Sequence, residues 1–194
     1  MNKKLVWVAA TILLLSGCAS QTPMLVKSLN EEGVCCPSYK EFVFLFEPLG
    51  LDAGTRFFKI GPGCPAFEFE EGKSYFRVFK LPHREGDYSI EITTLLVGSW
   101  IPKAHVFYPY LRFLDQNFDL TMTEVKPRLY FEDAWMAGVR WSGRVPLAPA
   151  DQYVIIYTSP KLFDQKIPVP RGKDLFSSYG PAGWLRIKFV KGVD

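Results

Sequence analysis

Residues 87–97 read DYSIEITTLLV, and for most of that length they alternate: Tyr88, Ile90 and Ile92 fall on one side, Ser89, Glu91 and Thr93 on the other. A side-chain period of two describes a β-strand with one face buried and one face wet. Near the other end of the chain WLRIKFV (184–190) repeats the pattern, with Leu185, Ile187 and Phe189 set against Arg186 and Lys188. Between and before these two lie EFVFLF (41–46), RFFKI (56–60), AFEFE (66–70), SYFRVFKL (74–81), HVFYPYLRFL (105–114), RLYFE (128–132), MAGVRWSGRV (136–145) and QYVIIYTS (152–159). Gly, Pro, Asp and Asn punctuate the gaps, as they do between strands. Short strands with turn residues between them predict an all-β chain, a single antiparallel β-sandwich of jelly-roll-like form. No stretch sustains a 3.6-residue period. Ser159–Gly183 departs from the pattern: Pro160, Pro168, Pro170 and Pro181 cannot donate to a ladder, so a long connection is expected there, with one helical turn over 161–166.

The N-terminus carries a different message. Lys3 and Lys4 precede the apolar run Leu5–Leu15, and small residues, Ser16 and Gly17, follow it. That order is a secretory signal, and the run is too short to span a bilayer. Leu15-Ser16-Gly17-Cys18 resembles the bacterial lipobox, which implies cleavage after residue 17 and acylation of Cys18. Several acyl chains anchor a protein stably where one does not. Ala19 and Ser20, with no acid after the cysteine, point to the outer membrane, periplasmic face. The expected organisation is a signal peptide (1–17), a lipid-anchored tether (18–33) that lifts the domain off the bilayer, and a β-domain (34–194).

Composition narrows the function classes. The length suits one domain with a sizeable core. Lys3 and Lys4 supply two of the three net positive charges, and no Lys/Arg run exceeds two residues, so nucleic-acid binding has no electrostatic footprint. An aromatic content of 15% argues against disorder. Beyond Cys18 there remain Cys35, Cys36 and Cys64. Adjacent Cα atoms, about 3.8 Å apart, sit below the usual disulfide span, so a bridge from Cys36 to Cys64, or from Cys35 to Cys64, is expected instead. It would close a loop of about 29 residues, worth roughly 3.5 kcal/mol in the chain-entropy account.

Catalytic signatures are missing from the sequence. His83 and His105 form no metal-ligand spacing, there is no G-x-S-x-G elbow, and GPGCP (61–65) is a turn rather than a phosphate loop. No catalytic residue, cofactor or metal is therefore expected. Carboxylates gather at Glu68, Glu70 and Glu71 and again at Asp115, Asp119, Glu132 and Asp133, but alternation with Phe67 and Phe69 turns Glu68 and Glu70 to solvent. The aromatic residues are more informative. Trp100, Tyr108, Tyr110 and Trp135 flank strand ends and form the candidate platform on which a glycan ring could stack.

HVFYPYLRFLDQNFDLT (105–121), with its apolar-x-Pro strand and Leu114-Asp115-Gln116-Asn117 corner, resembles the maltose-operon periplasmic protein family, MalM. GKSYFRVFKLP (72–82), GRVPLAPADQYVIIYTSPK (143–161) and GWLRIKFV (183–190) extend the resemblance over roughly residues 33–190. It implies a periplasmic protein associated with maltose and maltodextrin uptake, with no catalytic mechanism and no binding residues to carry over. The lipid anchor and Cys35-Cys36 depart from the family's founding member. Asp115 and Asn117 are turn formers and are expected to make the corner after a core strand. Two roles follow: a non-enzymatic accessory lipoprotein whose partner is maltodextrin, or a module docking on an envelope protein without binding sugar.

Overall fold

β-Branched and aromatic residues at a spacing of two build nearly everything that follows. The computed structural model describes residues 21–50, 57–98, 103–134, 138–163, 165–170 and 175–192. In chain order they form a helix α1 (Thr22–Glu31), a 3-10 turn (Tyr39–Phe44), then β1 (Phe46–Pro48), β2 (Phe57–Ile60), β3 (Ala66–Phe69), β4 (Gly72–Tyr75), β5 (Arg77–Lys80) and β6 (Tyr88–Val97). There follow β7 (His105–Val106), β8 (Tyr110–Leu114), β9 (Leu120–Val125), β10 (Tyr130–Ala134), β11 (Gly138–Pro146), β12 (Tyr153–Tyr157), β13 (Lys166–Pro168), β14 (Phe176–Tyr179) and β15 (Gly183–Lys191). A one-turn 3-10 segment, Pro160–Leu162, stands before β13.

Two sheets make the sandwich. The first runs β1-β5-β12-β8-β9; the second runs β10-β11-β6-β7-β14-β13, with β15 paired to β6 and β2 paired to β15. Most pairs are antiparallel, as the sequence predicts, but β1 joins β5 and β14 joins β7 in parallel. The all-β sandwich is therefore mixed rather than purely antiparallel. DYSIEITTLLV is its central strand, taking β11 on one side and β15 on the other. Ile90 and Ile92 of β6 and Leu185 and Ile187 of β15 meet Leu111, Phe113, Val154 and Ile156 of the first sheet in a dry core. Burying each such side chain contributes about 1.5–3 kcal/mol.

The first sheet is covered on its other side as well. Tyr110, Leu114, Tyr153, Ile155 and Tyr157 face Phe42 from the 3-10 turn and Phe67 and Phe69 from the β3–β4 hairpin. EFVFLF was expected to be a strand; only Phe46 is, because the chain must cross over this face before it can pair with β5. Phe42 drops in fully buried while Phe44 stays 86% exposed.

Three further differences from expectation have local causes. The stretch read as a tether holds α1, which starts with a proline in its first turn, a position where the missing N–H costs nothing. Leu29 is buried in the main core, Val26 packs against it, and Ser28 Oγ lies 3.2 Å from the Tyr75 hydroxyl. Lys73 donates to the carbonyls of Asn30 and Glu32, satisfying acceptors at the helix end. The helix is docked, not a free spacer. The proline-bearing segment 159–183 supplies β13 and β14, with Pro168 at the end of a strand that pairs on one side only, where its missing donor is tolerated. Finally β9, which the sequence reading passed over, follows a corner made as expected by Asp115, whose Oδ1 accepts from the N–H of Asn117 (2.7 Å) and Asp119 (3.0 Å). Its register against β8 slips twice. The slips let Met122 and Val125, three apart, both pack on the inter-sheet core.

Candidate functional site

A cavity with a volume of about 610 Å³ opens where the two sheets end side by side, between β1–β5 and β2–β15. Both edge strands are short there, three residues in β1 and four in β2. Phe79 and Ile187, both buried, form the floor. Pairing of Trp184 with Lys59 and of Arg186 with Phe57 puts these four side chains on the outward side of the β2–β15 ladder. Phe58 turns the other way and meets Phe79 with ring centroids 4.8 Å apart. Trp184 remains 43% exposed. Across the groove Arg77 holds Glu47 at 3.0 Å and stands over the Phe58 ring.

Such a cleft has an apolar floor, a partly exposed tryptophan and a few charged residues in its lining. That is the make-up of a small-ligand site, within the usual size range. A flat ring with a polar rim suits a sugar, whose C–H faces stack on aromatics while its hydroxyls reach the charged groups.

A second constellation lies on the covered side of the first sheet. Arg112 of β8 is only 3% exposed. It donates from Nε to the Tyr157 hydroxyl (3.0 Å), from one terminal nitrogen to Tyr39 (2.8 Å), and from the other to Glu71 (3.1 Å) and Glu70 (3.3 Å). Glu70 and Glu71 are the two residues between β3 and β4, and Gly72 closes the turn at φ 116°, a backbone conformation that favours glycine. Tyr157 in turn reaches Glu71 (3.0 Å) and Glu124 (3.1 Å), and Lys126 pairs with Glu124 at 2.6 Å. Burial, joined by the hydrogen bond that its protonated form donates to Glu71, holds the Glu124 carboxyl above the ordinary glutamate range. Burial alone would raise Glu71 as well, but hydrogen bonds from Glu124, its own backbone and Tyr157, with the Arg112 charge, bring it below that range. Burial likewise pushes the Tyr157 phenol up.

Two carboxylates meeting in one place would be the mark of a glycosidase. Glu71 and Glu124 do meet, but the Tyr157 hydroxyl takes both, at 3.0 Å and 3.1 Å. Glycoside cleavage needs roughly 5 Å or more between the carboxyls for the sugar to sit between them. This cluster is a structural lock between hairpin and sheet.

The sequence-predicted residues divide as follows. Tyr110 is 5% exposed, with Lys126 over its ring at 4.8 Å and Tyr157 edge-on at 5.7 Å, so it offers no open face. Tyr108 is half-buried, donates to the Pro127 carbonyl and meets Tyr110 and Tyr179 edge-on. Alternation along a doubly covered sheet is what buries Tyr110. Trp100, Trp135 and Cys18 lie outside the described residues. The structure joins Cys35 to Cys36, and Cys64 is a free thiol. The expected bridge to Cys64 is thereby corrected. The Gly61–Cys64 turn aims the Cys64 thiol back at the Lys59 carbonyl, while Cys35 is fixed by its N–H to Ala66. Trp184, Phe57 and Arg77 were not anticipated, though the alternation of WLRIKFV already sets Trp184 on the outward register. Among the described residues no three His, Cys, Asp or Glu side chains gather as a metal centre requires.

Fold and groove together define a β-sandwich protein with an open cleft where its sheets end, and no catalytic constellation lies among the described residues. A family model described as maltose operon periplasmic protein precursor (MalM) matches residues 71–181, and the chain belongs to that family. It is a periplasmic family tied to the maltose operon and is not known for enzymatic activity. Searches of curated proteins and of solved structures gave no match. The matched stretch contains the whole of β5, β8, β9 and β12 and the Arg112 cluster except Tyr39 and Glu70; Glu47, Phe57, Lys59 and Trp184 of the groove lie outside it. No described helix is long and apolar enough to cross a membrane.

Proposed function

We propose that this protein is a non-enzymatic accessory of maltodextrin uptake, held by acyl chains on Cys18 at the periplasmic face of the outer membrane, and that it takes a short glucan in the Trp184 groove. The observation that carries the sugar reading is a cleft lined by the partly exposed Trp184, the Arg77–Glu47 pair and the buried Phe79 and Ile187. Family membership supports the setting, and the lipobox-like LSGC supports the anchor. Titration with maltoheptaose, followed by tryptophan fluorescence and by calorimetry, tests it: the wild type binds, and Trp184→Ala abolishes binding without unfolding the domain. No heat and no spectral change at millimolar sugar would end the sugar reading.

A second reading, docking on an envelope protein, is favoured by Phe44, 86% exposed beside the partly exposed Val43 on the 3-10 turn. Crosslinking in cells grown without maltodextrin, with Phe44→Asp as control, separates the two. A partner captured by the wild type and lost in the variant supports docking.

A further inference from the structure

The docked helix fixes how the domain stands on its membrane. Cys18 is four residues from Thr22, so an acyl-bearing sulfur lies within about 14 Å of the helix start even with the chain fully extended. Thr22 itself is buried, its Oγ1 3.5 Å from the Ser178 hydroxyl on β14. Ser178 pairs with Lys166 of β13 and with His105 of β7, which in turn pairs with Val97 at the end of β6. One end of the sandwich is therefore tied to the anchor. Around it Met24 is 69% exposed and Phe176 45% exposed, and Lys166 is exposed on β13. The first turn of α1 carries no acid, and Glu31 and Glu32 stand at its other end, about 15 Å away.

We infer that Met24 on α1, Lys166 on β13 and Phe176 on β14 rest against the phospholipid surface that holds the acyl chains of Cys18. This rests on the anchoring proposed above. Phe176 and Met24 supply apolar contact at the headgroup boundary, and Lys166 meets anionic headgroups. β6 then stands away from the bilayer: its ten residues span about 30 Å from Val97, near the lipid, to Tyr88, far from it. Leu185, next to Trp184, pairs with Thr94, three residues from the near end of β6. The groove therefore opens sideways, about 10 Å above that end.

The test uses the acylated full chain in vesicles of phosphatidylethanolamine and phosphatidylglycerol, with a benzophenone amino acid placed at Met24, at Phe176 or at Glu85. Circular dichroism checks that each variant is folded. Lipid adducts from positions 24 and 176 and none from 85, near the far end of β6, are expected. Equal labelling at 85, or labelling there alone, overturns the orientation while leaving the anchor intact. An N-terminal peptide without acyl groups, read by mass spectrometry in the same sample, overturns the anchor itself.

Discussion

The two sides of the first sheet make opposite bargains with the same strands. β8 and β12 are buried along their whole length. Toward the second sheet they send Leu111, Phe113, Val154 and Ile156, and nothing polar is needed there. Toward the hairpin and 3-10 turn they send Tyr110, Arg112, Tyr153 and Tyr157, and the arginine must find carboxylates and hydroxyls in its own layer. The dry side gains from area alone and is indifferent to pH. The aromatic side depends on every member of a network, because a buried charge that loses its partner costs more than the pair contributed.

Substitutions can break or sharpen that contrast. The largest effect is expected from Arg112→Ala, which leaves Glu71 and the Tyr39 and Tyr157 hydroxyls without their cation: about 4 kcal/mol lost in urea unfolding, with the loss easing as the pH falls and Glu71 protonates. Ile156→Ala on the dry side should cost about 3 kcal/mol and the same at every pH. A loss for Arg112→Ala that is equally flat with pH would mean the two sides do not differ in kind.

Smaller effects test the network from within. Glu124 has its carboxyl raised, so its stabilising contribution is complete below the ordinary glutamate value and is lost as pH rises through the raised one; Glu71, lowered, behaves in the opposite sense, losing its contribution as pH falls through its depressed value. Glu124→Gln mimics the protonated form and should change stability by less than about 1 kcal/mol, removing the loss on rising pH. His105 provides a check outside the network. Burial lowers its pKa, so the unfolded chain takes up a proton more readily and stability falls as pH drops below the ordinary histidine value. His105→Gln should flatten that part of the profile. The smallest change in stability, within about 0.5 kcal/mol, is expected for Trp184→Ala, whose effect appears in sugar binding instead.

Strands were legible wherever one face is wet: DYSIEITTLLV and WLRIKFV declare both their structure and their inward side. YLRFL and YVIIY declare only that they are buried, because alternation carries no signal when both faces are covered. That is why Tyr110 could pass for a surface platform. The Arg112 cluster draws on the 3-10 turn, the β3–β4 turn, β8, β9 and β12, which no local pattern links. The groove was half legible, since Trp184 falls on the outward register, but its other wall comes from β1 and β5, and only the strand order brings those edges beside β2. The α1 helix was missed because its packing on Tyr75 and Lys73 is tertiary.

The double slip between β8 and β9 has a consequence for life in a crowd. β9 is a sheet edge, and an edge in even register offers a template to any strand that drifts past. On the anchor proposed above, copies confined to one leaflet would meet each other often. A bulged, twisted border pairs poorly with a second copy, so these molecules can share a surface densely without zipping into fibres.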